Sequence, residues 1–461
     1  MRFVLLIAAL GTAALSVSPP TAGAQPAVPE WELLETAPSR FGRFDDVDFA
    51  TPDSGWIARF GGEIFHTPDG GETWTTQVQG GPNFRSLGVV NSRVAFAGTL
   101  TAGSLLWETR DAGQTWSDIT DRISGALPQG VCGMSVVNED VIYGVGKFNQ
   151  TATIIKTTDG GQTWTGSDLS FIMRTAIDVY FQDEQTGFVV GGTAANLQNG
   201  QVVIARTTDG GQTWTRVYRS QTGKGVGGEW GWKISFPTDL VGYVSVEFYG
   251  ASDAPTAKIL KTVDGGLTWS PKLIPGSNTS AGLQGVGFID PDIGWASGRG
   301  VTSVTTDGGD SWTQLAPYDP QTGLGQLDGD MNRFFMVNDT IAFAVGNRVY
   351  RLSGFATSVS TEDYAEEVPE VFSMEPMYPN PFSESTVLAF NLTQPSSVRV
   401  EIVDVLGRTV RTFAVRDYAA GTHSISWDGR SQNGTRVTSG TYLLLVDAAG
   451  AVESKQVVFL E

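Results

Sequence analysis

The sequence predicts an all-β protein, built as a seven-bladed β-propeller followed by a small β-sandwich. Three observations predict this fold: an octapeptide that occurs six times, short apolar strand patterns ahead of each copy, and a change of pattern near residue 374. The 57 glycines and 13 tryptophans among 461 residues suit a fold of many short strands and tight turns. No convincing amphipathic helix is found.

Residues 1–24 have the pattern of a secretory signal peptide. Arg2 precedes an apolar run from Phe3 to Leu15, and the small-residue site Ala22-Gly-Ala24 precedes Gln25, so cleavage is expected between Ala24 and Gln25. The apolar run is too short for a membrane span, although an uncleaved anchor is the alternative. We therefore expect a mature bacterial chain without a membrane span that is secreted or held on the outer cell surface.

The octapeptide has the chemistry of a hairpin turn. Its first copy is Thr67-Pro-Asp-Gly-Gly-Glu-Thr-Trp74, in which the glycines supply positive φ angles and the aspartate can accept backbone N–H bonds. The copies lie 42 to 55 residues apart, the period expected of propeller blades. This turn chemistry favours a structural role over calcium or substrate binding. The aspartate and tryptophan of each copy are Asp69 and Trp74, Asp111 and Trp116, Asp159 and Trp164, Asp209 and Trp214, Asp264 and Trp269, and Asp307 and Trp312.

Strand patterns around the octapeptide predict four short strands per blade. Asp46-Val-Asp-Phe49, Gly55-Trp-Ile-Ala58 and Ile64-Phe65 precede the first copy. A seventh set, from Arg333 to Tyr350, has no octapeptide after it. Because Trp31-Glu-Leu-Leu34 begins with tryptophan as the outer strands do, we predict that it closes the ring by pairing with the last blade. The propeller is predicted over residues 25–355.

The C-terminal part of the chain has a different character. Residues 356–373 carry five acidic side chains and no basic one, which predicts an acidic linker. From 374 to 461, alternating strands such as Val398-Arg-Val-Glu-Ile-Val-Asp-Val405 are separated by glycine and asparagine turns. This pattern predicts a β-sandwich.

The octapeptide resembles the Asp-box, or bacterial neuraminidase (BNR) repeat. It is found in sialidases, in sortilin-type receptors and in the photosystem II assembly and stability factor family. The resemblance covers roughly residues 31–352 and implies the propeller fold. It does not imply an activity, since these proteins include both hydrolases and binding modules.

Five C-terminal motifs resemble, in order, the type A sorting domain of the type IX (Por) secretion system of Bacteroidetes-like bacteria. Part of this segment also looks like the immunoglobulin-like domain of flagellar hook-capping proteins. The first resemblance implies an outer-membrane translocon as partner and removal of the domain during release or surface attachment. An ordinary immunoglobulin-like accessory domain is the alternative. The motifs are Tyr378-Pro-Asn-Pro-Phe382, Asp404-Val-Leu-Gly-Arg408, Trp427-Asp-Gly429, Ser439-Gly-Thr-Tyr442 and Lys455-Gln-Val-Val-Phe459.

Composition argues against several classes of function. With 30 basic and 49 acidic residues the net charge is −19, which disfavours nucleic acid or an anionic membrane as partner. His66 and His423 lie in different predicted domains, which disfavours a histidine-activated nucleophile. Together with the single Cys132, expected to be a buried thiol, they also exclude a usual closed zinc site. We predict no catalytic residue, metal or cofactor.

The enzymatic alternative is a sialidase-like or other glycoside hydrolase acting on extracellular glycans. The resemblance to sialidases would imply three arginines that hold a carboxylate, a tyrosine nucleophile paired with a glutamate, and an aspartate acid/base. Their Phe-Arg-Ile-Pro signature precedes the first box. Here Arg40-Phe-Gly-Arg-Phe44 and Phe84-Arg85 are not followed by Ile-Pro. A noncatalytic binding or scaffold protein is therefore favoured.

We predict a binding site at one mouth of the propeller channel. Its ligand would be an unidentified extracellular protein or glycan, bound by a monomer. Substituting Arg85 and Trp232 together is expected to abolish binding without lowering the melting temperature. The alternative is that the mouth residues cap the channel and hydrogen-bond one another. The candidates are Arg43, Arg85, Arg174, Trp230, Trp232 and Asn332, with Asp45 and Gln284 beside them.

Overall fold

The computed structural model divides into two compact units, residues 1–358 and 359–461. No helix among the described residues is long and apolar enough to span a membrane. The predicted signal sequence, including Ala24, the residue Gln25 that follows it and most of the predicted linker lie outside the described residues. The described residues are 29–38, 42–146, 152–221, 228–248, 257–274, 282–298, 300–319, 326–355, 372–374, 377, 379–404, 408–448 and 451–460.

The described part of the first unit forms seven sheets, together with the single-turn 3-10 helices Thr120–Arg122 and Leu197–Asn199. Strand β1 is Pro29–Leu33; sheet 1 holds β2 Phe44–Phe49, β3 Gly55–Arg59, β4 Glu63–Thr67 and β5 Thr75–Val78; sheet 2 holds β6 Phe84–Val89, β7 Ala95–Thr101, β8 Ser104–Thr109 and β9 Ser117–Asp118; sheet 3 holds β10 Ile123–Gly125, β11 Gly133–Val136, β12 Ile142–Gly146, β13 Thr153–Thr157 and β14 Trp164–Asp168. Sheet 4 holds β15 Thr175–Phe181, β16 Gly187–Gly192, β17 Val202–Thr207 and β18 Thr215–Arg219; sheet 5 holds β19 Glu229–Ser235, β20 Gly242–Phe248, β21 Ala257–Thr262 and β22 Ser270–Ile274; sheet 6 holds β23 Gly285–Phe288, β24 Gly294–Gly298, β25 Val301–Thr305 and β26 Thr313–Gln314; sheet 7 holds β27 Arg333–Met336, β28 Ala342–Val345 and β29 Val349–Phe355.

The sheets form a closed ring, which is a β-propeller. The innermost strands β2, β6, β11, β15, β19, β23 and β27 each contact the next, and β27 contacts β2. As predicted, the N-terminal strand completes sheet 7: β1 pairs antiparallel with β29, and Trp31 lies opposite Leu352. The buried Trp31 ring packs 5.1 Å from Trp295 and 5.7 Å from Phe334. The first strand thus covers an edge that sheet 7 would otherwise expose.

Each octapeptide forms the same hydrogen-bonded turn between the last two strands of its sheet in chain order. In the first copy, Thr67 Oγ1 donates to Asp69 Oδ1 at 2.9 Å and accepts from Gly71 N at 2.8 Å, while Thr73 N donates to Asp69 Oδ1 at 2.8 Å. The other five copies repeat these bonds. The aspartates therefore have a structural role within these turns.

The octapeptide tryptophans also pack between neighbouring sheets. Trp164 of sheet 3 lies edge-on to Phe96 of sheet 2 at 5.5 Å. Trp269 contacts Phe188 of sheet 4 and Phe236 of its own sheet, at 6.4 and 5.9 Å. Such edge-to-face contacts add to the area buried between sheets.

The second unit is an immunoglobulin-like sandwich of two sheets around one apolar core. Trp427, Phe390 and Ile402 lie at its centre. The linker predicted over 356–373 is wrong at its C-terminal end, because Phe372 and Ser373 pair with Leu392 and Asn391. Pairing with a neighbouring strand satisfies their backbone groups, which outweighs the acidic composition upstream. One sheet holds β30 Phe372–Met374, β31 Thr386–Leu392 and β35 Gly421–Trp427; the other holds β32 Ser396–Asp404, β33 Thr409–Thr412, β34 Arg416–Tyr418, β36 Gly440–Ala448 and β37 Ala451–Phe459.

Candidate functional site

The two faces of the propeller differ in which loops they carry. Apart from β1 and the parallel outer strand β10, the chain runs through each sheet from the inside outward with antiparallel neighbours, so all innermost strands begin on the same face. We call this the mouth face. The octapeptide turns lie at the other end of the strands, which we call the box face.

Asp45, at the start of the first innermost strand, organises the mouth. Its side chain is fully buried, and its Oδ1 accepts from Arg43 Nε and Arg85 Nη1, both at 2.6 Å. Asn332 Nδ2 donates to the Asp45 backbone carbonyl at 2.7 Å. Arg43 also donates to Gln284 Oε1 at 3.1 Å. The candidates on sheets 1, 2, 6 and 7 thus hydrogen-bond one another around the channel.

The predicted mouth residues differ in exposure. Arg85, Trp230, Trp232 and Asn332 are buried, and the Arg85 guanidinium lies 5.4 Å from the centre of the Trp232 ring. Arg43 retains 36% side-chain exposure, and Arg174 is exposed. The structure therefore brings most candidates together as a cap and leaves two arginines accessible.

We predicted from the sequence that substituting Arg85 and Trp232 together would leave the melting temperature unchanged. Because both side chains are buried, this is no longer expected. Removing Arg85 would leave Asp45 buried with one partner fewer, and removing Trp232 would leave a cavity beside Trp230 and Ile177. The double variant should unfold more easily, so it cannot report on binding by itself.

Below the mouth lies a second group of charges, buried except for the partly exposed Arg333, that sequence reasoning did not identify as a cluster. Arg333 Nη1 donates to Asp178 Oδ2 at 2.8 Å, and Arg333 Nε lies 3.2 Å from Asp46 Oδ1. Lys233 Nζ lies 3.7 Å from Asp178 Oδ1. A signal was present, because each of these four residues opens the apolar pattern of an innermost strand, as Asp46 does in Asp46-Val-Asp-Phe49. A charge in an otherwise buried strand predicts a partner across the channel.

The two aspartates of this cluster also bind the backbone of neighbouring sheets. Asp46 Oδ2 accepts from Leu87 N at 2.8 Å, and Asp178 Oδ2 accepts from Ile234 N at 3.2 Å. Burial lowers the pKa of Lys233, although the nearby Asp178 carboxylate acts against this shift. The pKa of Arg333 is raised, because the Asp178 and Asp46 carboxylates outweigh the lowering effect of burial. The cluster therefore links sheets 1, 2, 4, 5 and 7 as a structural unit.

Asp48 lies two residues after Asp46 in strand β2, and its surroundings favour the neutral carboxyl over the carboxylate. Burial raises the pKa of Asp48 to about 8, although Val89 N donates to its Oδ2 at 2.8 Å. At neutral pH this carboxyl is therefore largely protonated. Cys132 is buried, as predicted. No group of three or more histidine, cysteine or acidic side chains is positioned for a metal ion within the part of the chain that the structure describes.

Comparisons with known proteins match each unit separately. The family model described as photosynthesis system II assembly factor YCF48 matches residues 24–169, and that of the FlgD Ig-like domain matches residues 381–451. The basal-body rod modification protein FlgD of Salmonella typhimurium is 35% identical over 68 residues, 14% of this chain and 29% of that protein. The chain thus spans under a third of the length of this curated relative.

Solved structures similar to this chain include three with TM-scores of 0.50 or above. A structure of YCF48 bound to D1 peptide has a TM-score of 0.50 and 16% identity, covering 71% of this chain and 99% of that one. YCF48 from Cyanidioschyzon merolae has a TM-score of 0.51 and 16% identity, with 70% and 98% covered. The extracellular domain of a hybrid two-component system from B. thetaiotaomicron has a TM-score of 0.51 and 9% identity, with 79% and 46% covered. These similarities support the fold, a β-propeller followed by an immunoglobulin-like domain.

Proposed function

We propose that this chain is an exported, noncatalytic binding protein whose seven-bladed Asp-box propeller holds an extracellular partner at its mouth face. The accessible arginine Arg43 carries this proposal. Asp45 and Gln284 hold its guanidinium from below, at 2.6 and 3.1 Å, while 36% of its side chain stays exposed. A guanidinium fixed in this way loses little conformational entropy when it binds a ligand.

The chemistry of the mouth favours a partner that bears carboxylates. Arg43 and the exposed Arg174 are suited to bidentate hydrogen bonds with a carboxylate. One propeller of similar fold has been solved with a peptide bound. An acidic peptide segment of a cell-surface protein is therefore the first ligand to test, and an acidic glycan is the second.

The partners of Arg85 and Arg333 argue against the sialidase-like alternative. Arg85 is paired with Asp45, and Arg333 with Asp46 and Asp178. A sialidase-like site would need arginines free to hold a substrate carboxylate beside a tyrosine and glutamate pair. The side chains of Arg85 and Arg333 are only 2% and 17% exposed, against 36% for Arg43, so protein carboxylates engage these two guanidinium groups away from the accessible surface of the mouth.

Binding should depend on the accessible arginines and not on net charge. We expect Arg43→Gln with Arg174→Gln to weaken binding of the full chain to an acidic peptide by roughly tenfold or more, as loss of two charged hydrogen-bond donors would. Because Arg43→Gln also removes a partner of the buried Asp45, the melting temperature of the variant is measured to show that it is folded. Arg93→Gln, on an exposed turn of the box face, removes a positive charge elsewhere and serves as the control. Peptide and glycan arrays, read together with release of free sugar, provide the measurement. Equal binding by the Arg43 and Arg174 variant would contradict the mouth assignment, and sugar release would favour the hydrolase.

We further propose that the second unit directs export through the type IX translocon, supported by the five motifs in their family order. The full chain and a chain ending at residue 371 would be expressed in a bacterium that has this system. The full chain should reach the medium or cell surface, and the shortened chain should stay in the periplasm. Export of both would leave the second unit as an ordinary accessory domain.

A further inference from the structure

The box face of sheet 5 carries an apolar corner formed by Leu240, Val263 and Leu267. Their exposures are 43%, 64% and 57%. Gly265 lies between the last two in sequence, its N–H donates to the Leu240 carbonyl at 2.9 Å, and Leu240 Cδ2 lies beside it. Three large aliphatic side chains therefore project from one corner into solvent.

The turn itself does not need these side chains. Val263 and Leu267 occupy the second and sixth positions of the octapeptide, where the copies at 157–164 and 207–214 have threonine and glutamine. Asp264 still accepts from Thr262 Oγ1 at 2.8 Å and from Thr268 N at 2.9 Å, as its counterparts do in the other copies. Because the same turn forms with polar residues, the aliphatic pair has no role in holding the turn. Clustered exposed aliphatic side chains are typical of a protein contact.

Carboxylates lie in this corner and on one side of it: Asp264 is in the turn itself, and Asp239 directly precedes Leu240. Asp239 and Asp292 are exposed, and Asp290 and Asp307 lie on the adjacent turns of sheet 6. Burial raises the pKa of Tyr243, between the two sheets, and Asp292, Asp290, Asp310 and Asp307 raise it further, which reflects their negative field.

The nearby lysines are engaged within the protein. Lys261 Nζ donates to the Gly308 carbonyl at 2.7 Å, and Lys272 forms an ion pair with Asp310. On the sheet 4 side, the Arg206 guanidinium lies 5.9 Å from the centre of the Phe188 ring, which packs against Gly266 of the turn. The corner therefore combines an apolar centre with an acidic rim formed by Asp239, Asp264 and the carboxylates of sheet 6.

We propose that the apolar corner docks a second partner, a protein segment that presents an aliphatic side chain flanked by lysine or arginine. Charge complementarity selects this chemistry, because a basic segment is attracted by the rim while its aliphatic side chain covers Val263 and Leu267. A second copy of this chain fits poorly, since it would bring two acidic rims together. This surface lies on the face opposite the mouth and does not depend on the function proposed for the mouth.

The test is a substitution that the chain itself shows to be compatible with the turn. Val263→Thr with Leu267→Gln restores the residues of the sister copies, and an unchanged melting temperature checks folding. The probe is a fluorescent synthetic peptide of alternating leucine and lysine, followed by anisotropy with the full chain. The variant should bind at least about tenfold more weakly than the parent chain, in keeping with the loss of two buried aliphatic contacts.

Two further measurements separate docking from nonspecific attraction to an acidic protein. A peptide with glutamate in place of lysine should not bind. Asp239→Asn with Asp292→Asn should weaken binding of the lysine peptide several-fold and reduce its salt dependence. Equal binding of the lysine peptide by the parent chain and the Val263 and Leu267 variant would overturn the proposal, because that variant keeps every charge.

Discussion

The channel and the box face of this propeller are held together by different means. Each box-face turn is closed by hydrogen bonds between residues two and four apart in sequence, and the same turn occurs six times. The channel is held by single, unrepeated contacts between distant residues, such as Arg333 with Asp178, 155 positions away. Loss of one turn contact should therefore affect only that turn, whereas loss of a charge shared by several sheets should lower the stability of the whole ring.

The largest effect should come from breaking the buried channel cluster. Arg333→Met removes the shared cation and leaves Asp46 and Asp178 buried with fewer partners, so we expect a loss of about 3 kcal/mol or more in the free energy of unfolding. Urea unfolding would measure it. Arg93→Met, at an exposed box-face turn, should change the same quantity by less than about 0.5 kcal/mol. Similar losses for both variants would contradict the comparison.

The two regions should also respond to pH with opposite sign. In the channel-lining strand β2, the pKa of Asp48 is raised to about 8. As the pH rises, this carboxyl therefore loses its proton in the unfolded chain before it does so in the folded chain. The free energy of unfolding falls as a result between about pH 4 and pH 8. Hydrogen bonds from Thr163 and Thr213 lower the pKa of Asp159 and Asp209 to about 2, so their contribution is complete above the unfolded pKa and is lost as the pH falls through about 2.

Asp48→Asn should therefore raise the melting temperature at pH 8 by roughly a few degrees, and the gain should shrink towards pH 4. Asparagine can still accept the Val89 N–H, so the hydrogen bond is retained. Thermal unfolding followed by circular dichroism across this range gives the result. A gain that is the same at both pH values would mean that Asp48 does not titrate as described.

The smallest effect should come from the backbone of one turn. Ala112 adopts a φ of 61° where the first glycine of the other copies stands, and Gly265 adopts 69° at the equivalent position. Because this left-handed conformation costs alanine about 1 kcal/mol, Ala112→Gly should stabilise the chain slightly and Gly265→Ala should destabilise it by a similar amount. Matched shifts of opposite sign in urea midpoints would support the equivalence of the copies. Shifts of the same sign would contradict it.

Sequence reasoning was most successful where the contacts are close in the chain. The octapeptide indicated the turns, the position of each sheet and, through Trp31, the strand that completes sheet 7. It was least successful at the mouth, where Arg43, Arg85 and Arg174 looked equivalent. In the structure Arg85 is buried, while Arg43 is half-exposed and Arg174 is exposed. No local pattern separates them, because their burial depends on side chains from other sheets.

The sequence by itself determined the repeated turns, the all-β class and the change of domain near residue 374, since these depend on φ angles, strand periodicity and hydrogen bonds within a few residues. Only the tertiary structure decided which charges are shared in the channel, which arginines reach solvent at the mouth, and that Leu240 joins Val263 and Leu267 at one corner. These features arise when the ring brings together residues from different strands and sheets, and such proximity is not written in any single segment.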